Sequence, residues 1–380
     1  SVVTAACMMI RKSVYEQVGG MDEVDFKVSY NDVDLCLKVG RLGYQTVWTP
    51  YAVVMHEGSV SQSQVDPDRA AAKQKRFEGE QVAMYRKWLP EIGNDPAYNK
   101  NLTLSGNGFE LEHRSLLSWR PLSWKPLPVV LCHPADRTGC GQYRILQPFA
   151  AMQEAQKISG AIAFDLYPAF ELAKLAPDVM VFQRQLTEQQ LECLRLSKLC
   201  SPSFKIYELD DYLPNIPIKS VHRAHMPKDV VKSLRKGLTF VDRFTVSTDE
   251  LANAYQGMHP VMHVVNNYLP VPLWGDLQPA RRQGKKPRVG WAGGASHTGD
   301  LELIASVVQA LANEVEWVFF GMCPDKLRPF VHEFYEGVPI GLYPSKLASL
   351  NLDLALAPLE QNIFNQCKSN LRLLEYGICG

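Results

Sequence analysis

The chain has 380 residues, 46% of them hydrophobic and 10% aromatic. That length suggests two or three domains, and that composition excludes a disordered chain. Lys plus Arg and Asp plus Glu both number 40, so no excess of cation marks a nucleic-acid binder and no nucleic-acid partner is expected.

The basic run "RRQGKKPR" at 281–288 reads equally as an inter-domain linker or as a polyanion site. The nine cysteines, at 7, 36, 132, 140, 193, 200, 323, 367 and 379, contain no C-x-x-C and no regular spacing. They read as small buried hydrophobes in a reducing cytosol rather than as a disulfide framework or zinc site. No run approaches the ~18 apolar residues of a spanning helix. The opening "SVVTAACMMIRK" does not read as a signal peptide, and both ends read as cuts through a domain.

In chain order, residues 1–105 begin with a strand-like "VVTAACMMI", a helix around "VYEQVGG" and then "YNDVDLCLK". With Asn31 as N-cap, Asp34 falls at N3, and Asp32 and Asp34 both complement the helix dipole. Leu35, Val39 and Leu42 then share one face and Gly43 ends the helix. That capping role accounts for these residues without any chemistry. A strand over "YQTVWTPYAVVMH", a long polar helix from Asp66 to Trp88 and a loop "DPAYNKNLTL" follow. Residues 106–128, with two Pro-flanked tryptophans, read as an ordered linker.

From 129 the pattern becomes strand, glycine loop, helix: "PVVLCH", "PADRTGCGQYR", "ILQPFAAMQEA". Strands are expected at "AFDLY", "VMVFQ", "FKIYELD", "RFTVST" and "MHVVNN". The series restarts with "RVGWAGG", a helix over "DLELIASVVQALANE", the strand "VEWVFFG", a helix, the strand "DLALAPL" and a helix over "CKSNLRLLEYG". This alternation predicts an α/β fold of two doubly wound units, 129–275 and 285–380, with a ligand cleft between them.

The loop "RVGWAGGASHTGD" places Gly293, Gly294 and Ser296 between a strand and a helix. It is either a tight turn or a phosphate loop whose backbone N–H groups meet an anion. It matches neither a Walker loop nor G-x-G-x-x-G. Further on, Lys368 and Ser369 precede a helix bearing Glu375. Lys368 and the Ser369 hydroxyl suit a diphosphate, and Glu375 suits the ribose hydroxyls. The alternative is a solvated Lys368, with Glu375 pairing locally with Arg372. Asp210 and Asp211, in "YELDDYLPNIP", are either turn-forming acids or cleft residues at a strand end.

The stretch "APLEQNIFNQCKSNLRLLEYG" resembles the carboxy-terminal domain of GT-B glycosyltransferases. In their retaining group two glutamates grip the nucleotide sugar. The second matches Glu375, whereas the first would fall at Cys367. The resemblance implies donor binding at Gly293, Gly294, Ser296, Lys368, Ser369 and Glu375. It implies an acceptor side at Gly139, Gly141, Asp210 and Asp211, and no metal for this module. His133, His222 and His225 are further candidates for its proton transfer.

Residues 1–105 resemble the carboxy-terminal half of a GT-A, family-two-type glycosyltransferase, through "TAACMMIRKSVYEQVGGMDE", "YNDVDLCLKVGRLGYQTVWTPYAVVMHEGS", "FEGEQVAMYRKWLP" and "NDPAYNKNLTL" in order. The resemblance makes Asp32 the general base for the acceptor hydroxyl. It places Gly19, Gly20 and Asp34 on the acceptor side, and it makes His56 a ligand of a divalent metal, Mn or Mg, in the complete module. The nucleotide-binding half with its metal-binding D-x-D is missing; neither Asp22–Asp25 nor Asp32–Asp34 replaces it.

The fold expected is therefore α/β, a partial GT-A module followed by two Rossmann-like doubly wound domains of GT-B type. The function implied is sugar transfer from a nucleotide-sugar donor to a glycan or lipid-linked glycan acceptor, in bacterial surface polysaccharide or O-antigen-type assembly. The location implied is cytoplasmic, with peripheral association at the inner membrane face. Rival readings are a non-catalytic glycan-binding or scaffold protein and a nucleotide-sugar epimerase.

Overall fold

The computed structural model describes residues 2–55, 67–104, 106–113, 126–215, 227–278, 284, 286–294 and 297–380. The chain divides into two compact units: Ser1–Trp119 with Ala169–Lys174, and Arg120–Pro168 with Leu175–Gly380. Among the described residues, no helix is long and apolar enough to cross a membrane.

The first unit is built on helices α1 (Lys12–Gln17), α2 (Asn31–Arg41) and α3 (Pro67–Gly93). Helix α2 is sandwiched because two of its faces are apolar. Val33 and Leu37 join a core of Phe26, Ala83, Met84 and Trp88 from the α3 side. Leu35 and Val39 pack instead with Val14 and Ile10. Leu42, expected on that face, is 45% exposed, because the helix has already ended there. The N-cap is Tyr30, in left-handed backbone at φ 65°, so Asn31 is the first helical residue. Gly43 follows the end of the helix at φ 84°.

The alternating segment 44–55 is not a strand. A strand needs a neighbour to take its N–H and C=O groups. Among the described residues none runs beside it, and Val47, Trp48, Tyr51, Val53 and Met55 are exposed. "VVTAACMMI" is likewise irregular apart from a short turn at Ala5–Cys7.

The second unit holds two parallel sheets. The first has strands β1 (Val129–His133), β2 (Ser159–Ile162), β3 (Val179–Gln183), β4 (Phe204–Leu209), β5 (Arg243–Val246) and β6 (Met262–Val264), in the order β2-β1-β3-β4-β5-β6. The second has β7 (Arg288–Ala292), β8 (Glu316–Gly321), β9 (Glu333–Glu336) and β10 (Leu354–Ala355), in the order β10-β7-β8-β9. Strands β1 and β7 are buried at every residue, as near-continuous apolar runs in covered parallel sheets are, with His133 and Arg288 the polar residues at their ends. Strand β2 lies just before "AFDLY", and the edge strand β9, "EFYE", falls where a helix was expected. The helix expected over 300–314 breaks into Thr298–Glu302 and Ala305–Ala310.

Arg288 leaves the polyanion reading of "RRQGKKPR". It opens β7, is 7% exposed, and pairs at 2.9 Å with both Glu316 and Glu333. Its guanidinium thus ties three neighbouring strands at one end of the sheet.

The strand orders locate the cleft. Neighbours β2 and β3 lie on opposite sides of β1, so chain crossovers diverge beyond the carboxyl end of β1. Strand β7 is flanked in the same way by β10 and β8. Ligands of open α/β sheets bind at such switch points. Both switch-point loops, 137–140 after β1 and 293–297 after β7, contribute described residues to one cavity of about 700 Å³.

Candidate functional site

The cavity is lined on the first-sheet side by Thr138, Gly139, Cys140, Tyr143, Arg144, Asp210 and Asp211. On the second-sheet side stand Gly293, Gly294, His297, Lys368, Ser369, Arg372 and Glu375. Nearly all the residues expected at the GT-B site therefore meet in one space. Gly141 sits behind the wall, and Ser296 lies outside the described residues.

The β1 loop is closed by Asp136. Its Oδ1 accepts from the Thr138 N–H at 2.9 Å, the Thr138 hydroxyl at 2.8 Å and the Gly141 N–H at 3.2 Å. Its Oδ2 accepts from Arg184 at 2.6 Å. Burial pushes the Asp136 carboxyl up, but these bonds and the Arg184 charge outweigh it and hold it low. The turn is so tight that a Cβ at Gly141 would lie 1.9 Å from the Asp136 carbonyl oxygen. Gly141 is thus needed for the loop's shape, while Gly139 faces open space.

One ligand atom each from Cys140, Asp210 and Asp211 lies within 4.8 Å of the others. Burial raises the Asp210 carboxyl, and the Glu208 charge adds to that. Burial also raises the Cys140 thiol well above its usual range, which keeps it protonated. The Arg184 charge acts on all three groups. A soft sulfur ligand is not the all-oxygen donor set that a hard divalent cation takes.

A chain of bonds then crosses to the second-sheet side. Arg144, buried against Glu208 at 2.6 Å, also donates to Asn267 Oδ1 at 2.8 Å. Asn267 Nδ2 donates to the Ser369 hydroxyl oxygen at 2.8 Å. That arrangement leaves the hydroxyl's own proton to donate to a ligand. The Cys367 carbonyl accepts from the Thr248 hydroxyl at 2.9 Å, and the residue is 2% exposed. No acid therefore stands where the first glutamate was sought.

Glu375 is 6% exposed and faces two tyrosines. Its Oε1 accepts from Tyr143 at 2.7 Å and its Oε2 from Tyr343 at 3.1 Å. Burial pushes its carboxyl up against the pull of those hydroxyls. Arg372 does not pair with Glu375, as the local spacing suggested; its Nη2 meets His297 Nε2 at 3.1 Å. Lys368 and Ser369 precede the helix Leu371–Ile378, and Lys368 Nζ lies 4.8 Å above the Phe364 ring. The Gly293 N–H is not turned toward an anion, because it donates to the Phe320 carbonyl at 3.0 Å.

His133 leaves the list of proton carriers. It is fully buried and stacked on Phe182 at 5.2 Å, and its Nδ1 bonds the Ala163 carbonyl at 2.9 Å. Its Nε2 has no partner, and burial pushes its pKa down to about 4. The unfolded chain takes up this proton near its ordinary value of 6.5, so stability is complete above that pH and falls as pH drops from 6.5 toward 4. By urea titration, the chain should lose about 2 kcal/mol between pH 7.5 and 5 through this residue. His133→Phe should flatten that slope; an unchanged slope would place the protonation elsewhere. His222 and His225 lie outside the described residues.

In the first unit, the acids of "NDVD" part company. Asp32 is half-buried; its Oδ2 accepts from the Ala5 N–H at 3.0 Å and its Oδ1 from the Val33 N–H at 2.8 Å. Asp34 is fully buried and bound to Lys87 Nζ at 2.7 Å and Trp88 Nε1 at 2.8 Å. Lys38 lies 3.2 Å from Asp34 and also donates to the Gly20 carbonyl at 2.5 Å. Gly19 and Gly20 take φ values of 76° and 66°, which turn the chain after α1 onto that lysine. His56 lies outside the described residues, and among the described residues of this unit no trio of metal-ligating groups gathers.

No family model matches the chain. Curated relatives match short stretches. A 111-residue stretch is 43% identical to an uncharacterised protein, y4gI, of Sinorhizobium fredii, covering 29% of this chain and 12% of that one. A 103-residue stretch is 38% identical to the O-antigen biosynthesis protein RfbC of Myxococcus xanthus, covering 27% of this chain and 8% of that one. A 73-residue stretch is 34% identical to the N-acetylglucosaminyl-diphospho-decaprenol L-rhamnosyltransferase of Mycobacterium tuberculosis, covering 19% and 24%. Among solved structures, an alpha-glucosyltransferase in complex with UDP and DNA aligns at TM-score 0.44 and 11% identity, over 67% of this chain and 78% of that one. The chain thus spans about a tenth of the first two relatives and a quarter of the third.

Proposed function

We propose that the chain belongs to a glycosyltransferase of bacterial surface polysaccharide assembly. It would hold a partial GT-A module over 1–105, a linker over 106–128 and a GT-B module over 129–275 and 285–380. The observation that carries this reading is the convergence of two switch-point loops on one cavity whose second-sheet wall offers Lys368, Ser369 and Glu375. The short matches to an O-antigen protein and a rhamnosyltransferase support the same reaction class.

The nucleotide-sugar donor lies along the second-sheet wall. Lys368 neutralises the diphosphate, and the Ser369 hydroxyl donates to it. As the glycosidic bond to the diphosphate breaks, negative charge grows on the leaving oxygen, and a fixed cation stabilises that charge. Glu375 accepts from the ribose hydroxyls, taking two sugar O–H donors in place of two tyrosine O–H donors. The glycan or lipid-linked acceptor enters from the first-sheet side, past Gly139, Asp210 and Asp211. In the first module Asp32 is the proposed base. A divalent metal is proposed only for the complete module, and no step here runs through it. The proposed setting is the cytoplasmic face of the membrane.

Calorimetry with uridine, guanosine and thymidine diphosphates tests this reading. One of them should bind the wild-type chain, and Lys368→Ala should weaken it about tenfold, the worth of one charge-assisted contact. If none of the three binds, the donor-site reading fails.

A further inference from the structure

Gly293, His297, Lys368 and Arg372 share the cavity wall, and among the described residues neither cation forms a salt bridge. A partly buried guanidinium without a carboxylate partner is costly unless an anion visits it. Nearby Glu375 does not pair with it; its oxygens meet Tyr143 and Tyr343 instead.

We propose that Arg372 is a second diphosphate-binding cation, and that Asp300 and His297 are the residues that position it. The proposal rests on the donor-site reading above and adds to it a residue and a mechanism of aim.

The direction of each bond can be deduced. Asp300 Oδ1 accepts from the Glu360 N–H at 2.8 Å and from Asn365 Nδ2 at 2.9 Å. Its Oδ2 lies 2.7 Å from His297 Nδ1. Burial pushes the Asp300 carboxyl up, but the bond to His297 and the other donors outweigh it, so it stays ionised. An ionised carboxylate only accepts, so His297 Nδ1 carries the proton. Burial first, then the Arg372 and Lys368 charges, hold the imidazole below its ordinary value against the pull of Asp300. The ring is therefore neutral, with a lone pair on Nε2. A guanidinium has only donors, so Arg372 Nη2 donates a hydrogen bond to that lone pair across 3.1 Å. One end of the guanidinium is fixed, and its remaining N–H groups are left for the cavity.

The glycine of the β7 loop serves the same arrangement. A Cβ at Gly293 would lie 2.7 Å from Arg372 Nη2 and 2.6 Å from the Trp291 ring. The guanidinium carbon sits 5.3 Å from the centre of that ring. Gly293 thus makes room for an arginine, while its own N–H extends the β7–β8 pairing. The anion-binding work of this loop passes from backbone to side chain.

The test is calorimetry with inorganic pyrophosphate, the best-bound nucleoside diphosphate and its parent nucleoside. Arg372→Gln should weaken pyrophosphate and the diphosphate about tenfold and leave the nucleoside unchanged. His297→Phe should weaken both phosphates several-fold. His297→Gln, whose amide oxygen can accept from Arg372, should restore most of that loss. Wild-type affinity for pyrophosphate in Arg372→Gln, or in His297→Phe, overturns the proposal. So does parallel loss of the nucleoside, which marks a merely structural role. Arg372-dependent pyrophosphate binding without any nucleoside diphosphate binding would keep the anion site and reject the donor-site reading.

Discussion

Glu375→Ala should weaken the preferred nucleoside diphosphate about 100-fold, and Glu375→Gln about tenfold. A hydrogen bond to a charged group is worth about 1.5–3 kcal/mol. The ribose offers two such bonds, but they replace the bonds from Tyr143 and Tyr343, at 2.7 and 3.1 Å. The exchange keeps only part of the roughly 3–6 kcal/mol of two such bonds, and the expected two decades in affinity correspond to about 2.7 kcal/mol of it. This competition gives a prediction of opposite sign. Tyr143→Phe removes one competing donor and should tighten nucleotide binding about twofold to threefold. A 2′,3′-dideoxynucleotide should bind wild type poorly and lose nothing further in Glu375→Ala. If Tyr143→Phe weakens binding as much as Glu375→Ala does, the tyrosine–glutamate pair only closes the cavity and Glu375 is no ribose ligand.

These residues differ in how far the sequence reveals them. Strands such as "VVLCH" and "RVGWA" are legible because a strand buried on both faces is a near-continuous apolar run, broken here only at its ends by His133 and Arg288. Strand β9 is four residues at a sheet edge, three half-buried and one exposed, so it leaves almost no pattern. The segment 44–55 shows the converse: alternation is local, whereas the pairing that makes a strand is not. The site divides in the same way. Lys368, Ser369 and Glu375 can be found from one helix and the loop before it. Arg372 meets His297 across 75 positions, so spacing instead suggested the neighbour three residues away, Glu375. The Gly293 N–H is invisible for a related reason, since its acceptor is the end of another strand. Tyr143 is 232 positions from Glu375, and no local signal links them.

Asp34→Ala should cost the first unit about 4 kcal/mol, whereas Asp32→Ala should cost about 1 kcal/mol. Asp34 is a buried carboxylate holding Lys87, Lys38 and the Trp88 indole N–H. Burial alone would lower the Lys87 pKa, yet Asp34 and Asp22 hold it above its ordinary value. Removing Asp34 leaves the Trp88 N–H without an acceptor in a ring that is 1% exposed. It also strips Lys38 of its carboxylate partner and leaves Lys87 with Asp22 alone, 3.2 Å away. The lysine side chains stay 18% and 30% exposed, so water recovers part of the loss. Asp34→Asn keeps an acceptor for Trp88 and should cost about half as much. Removing Asp32 loses one bond from an exposed backbone N–H, at Ala5, and one from the adjacent Val33 N–H, with no buried charge left unpaired, so its removal is mild. Urea denaturation of the three variants, followed by Trp88 fluorescence, measures these differences. Equal losses at Asp32 and Asp34 would refute the assignment of Asp34 as the structural acid. The contrast also frees Asp32 for chemistry. In a preparation that transfers sugar, Asp32→Asn should abolish transfer at unchanged stability, because a base must be ionised and need not be buried.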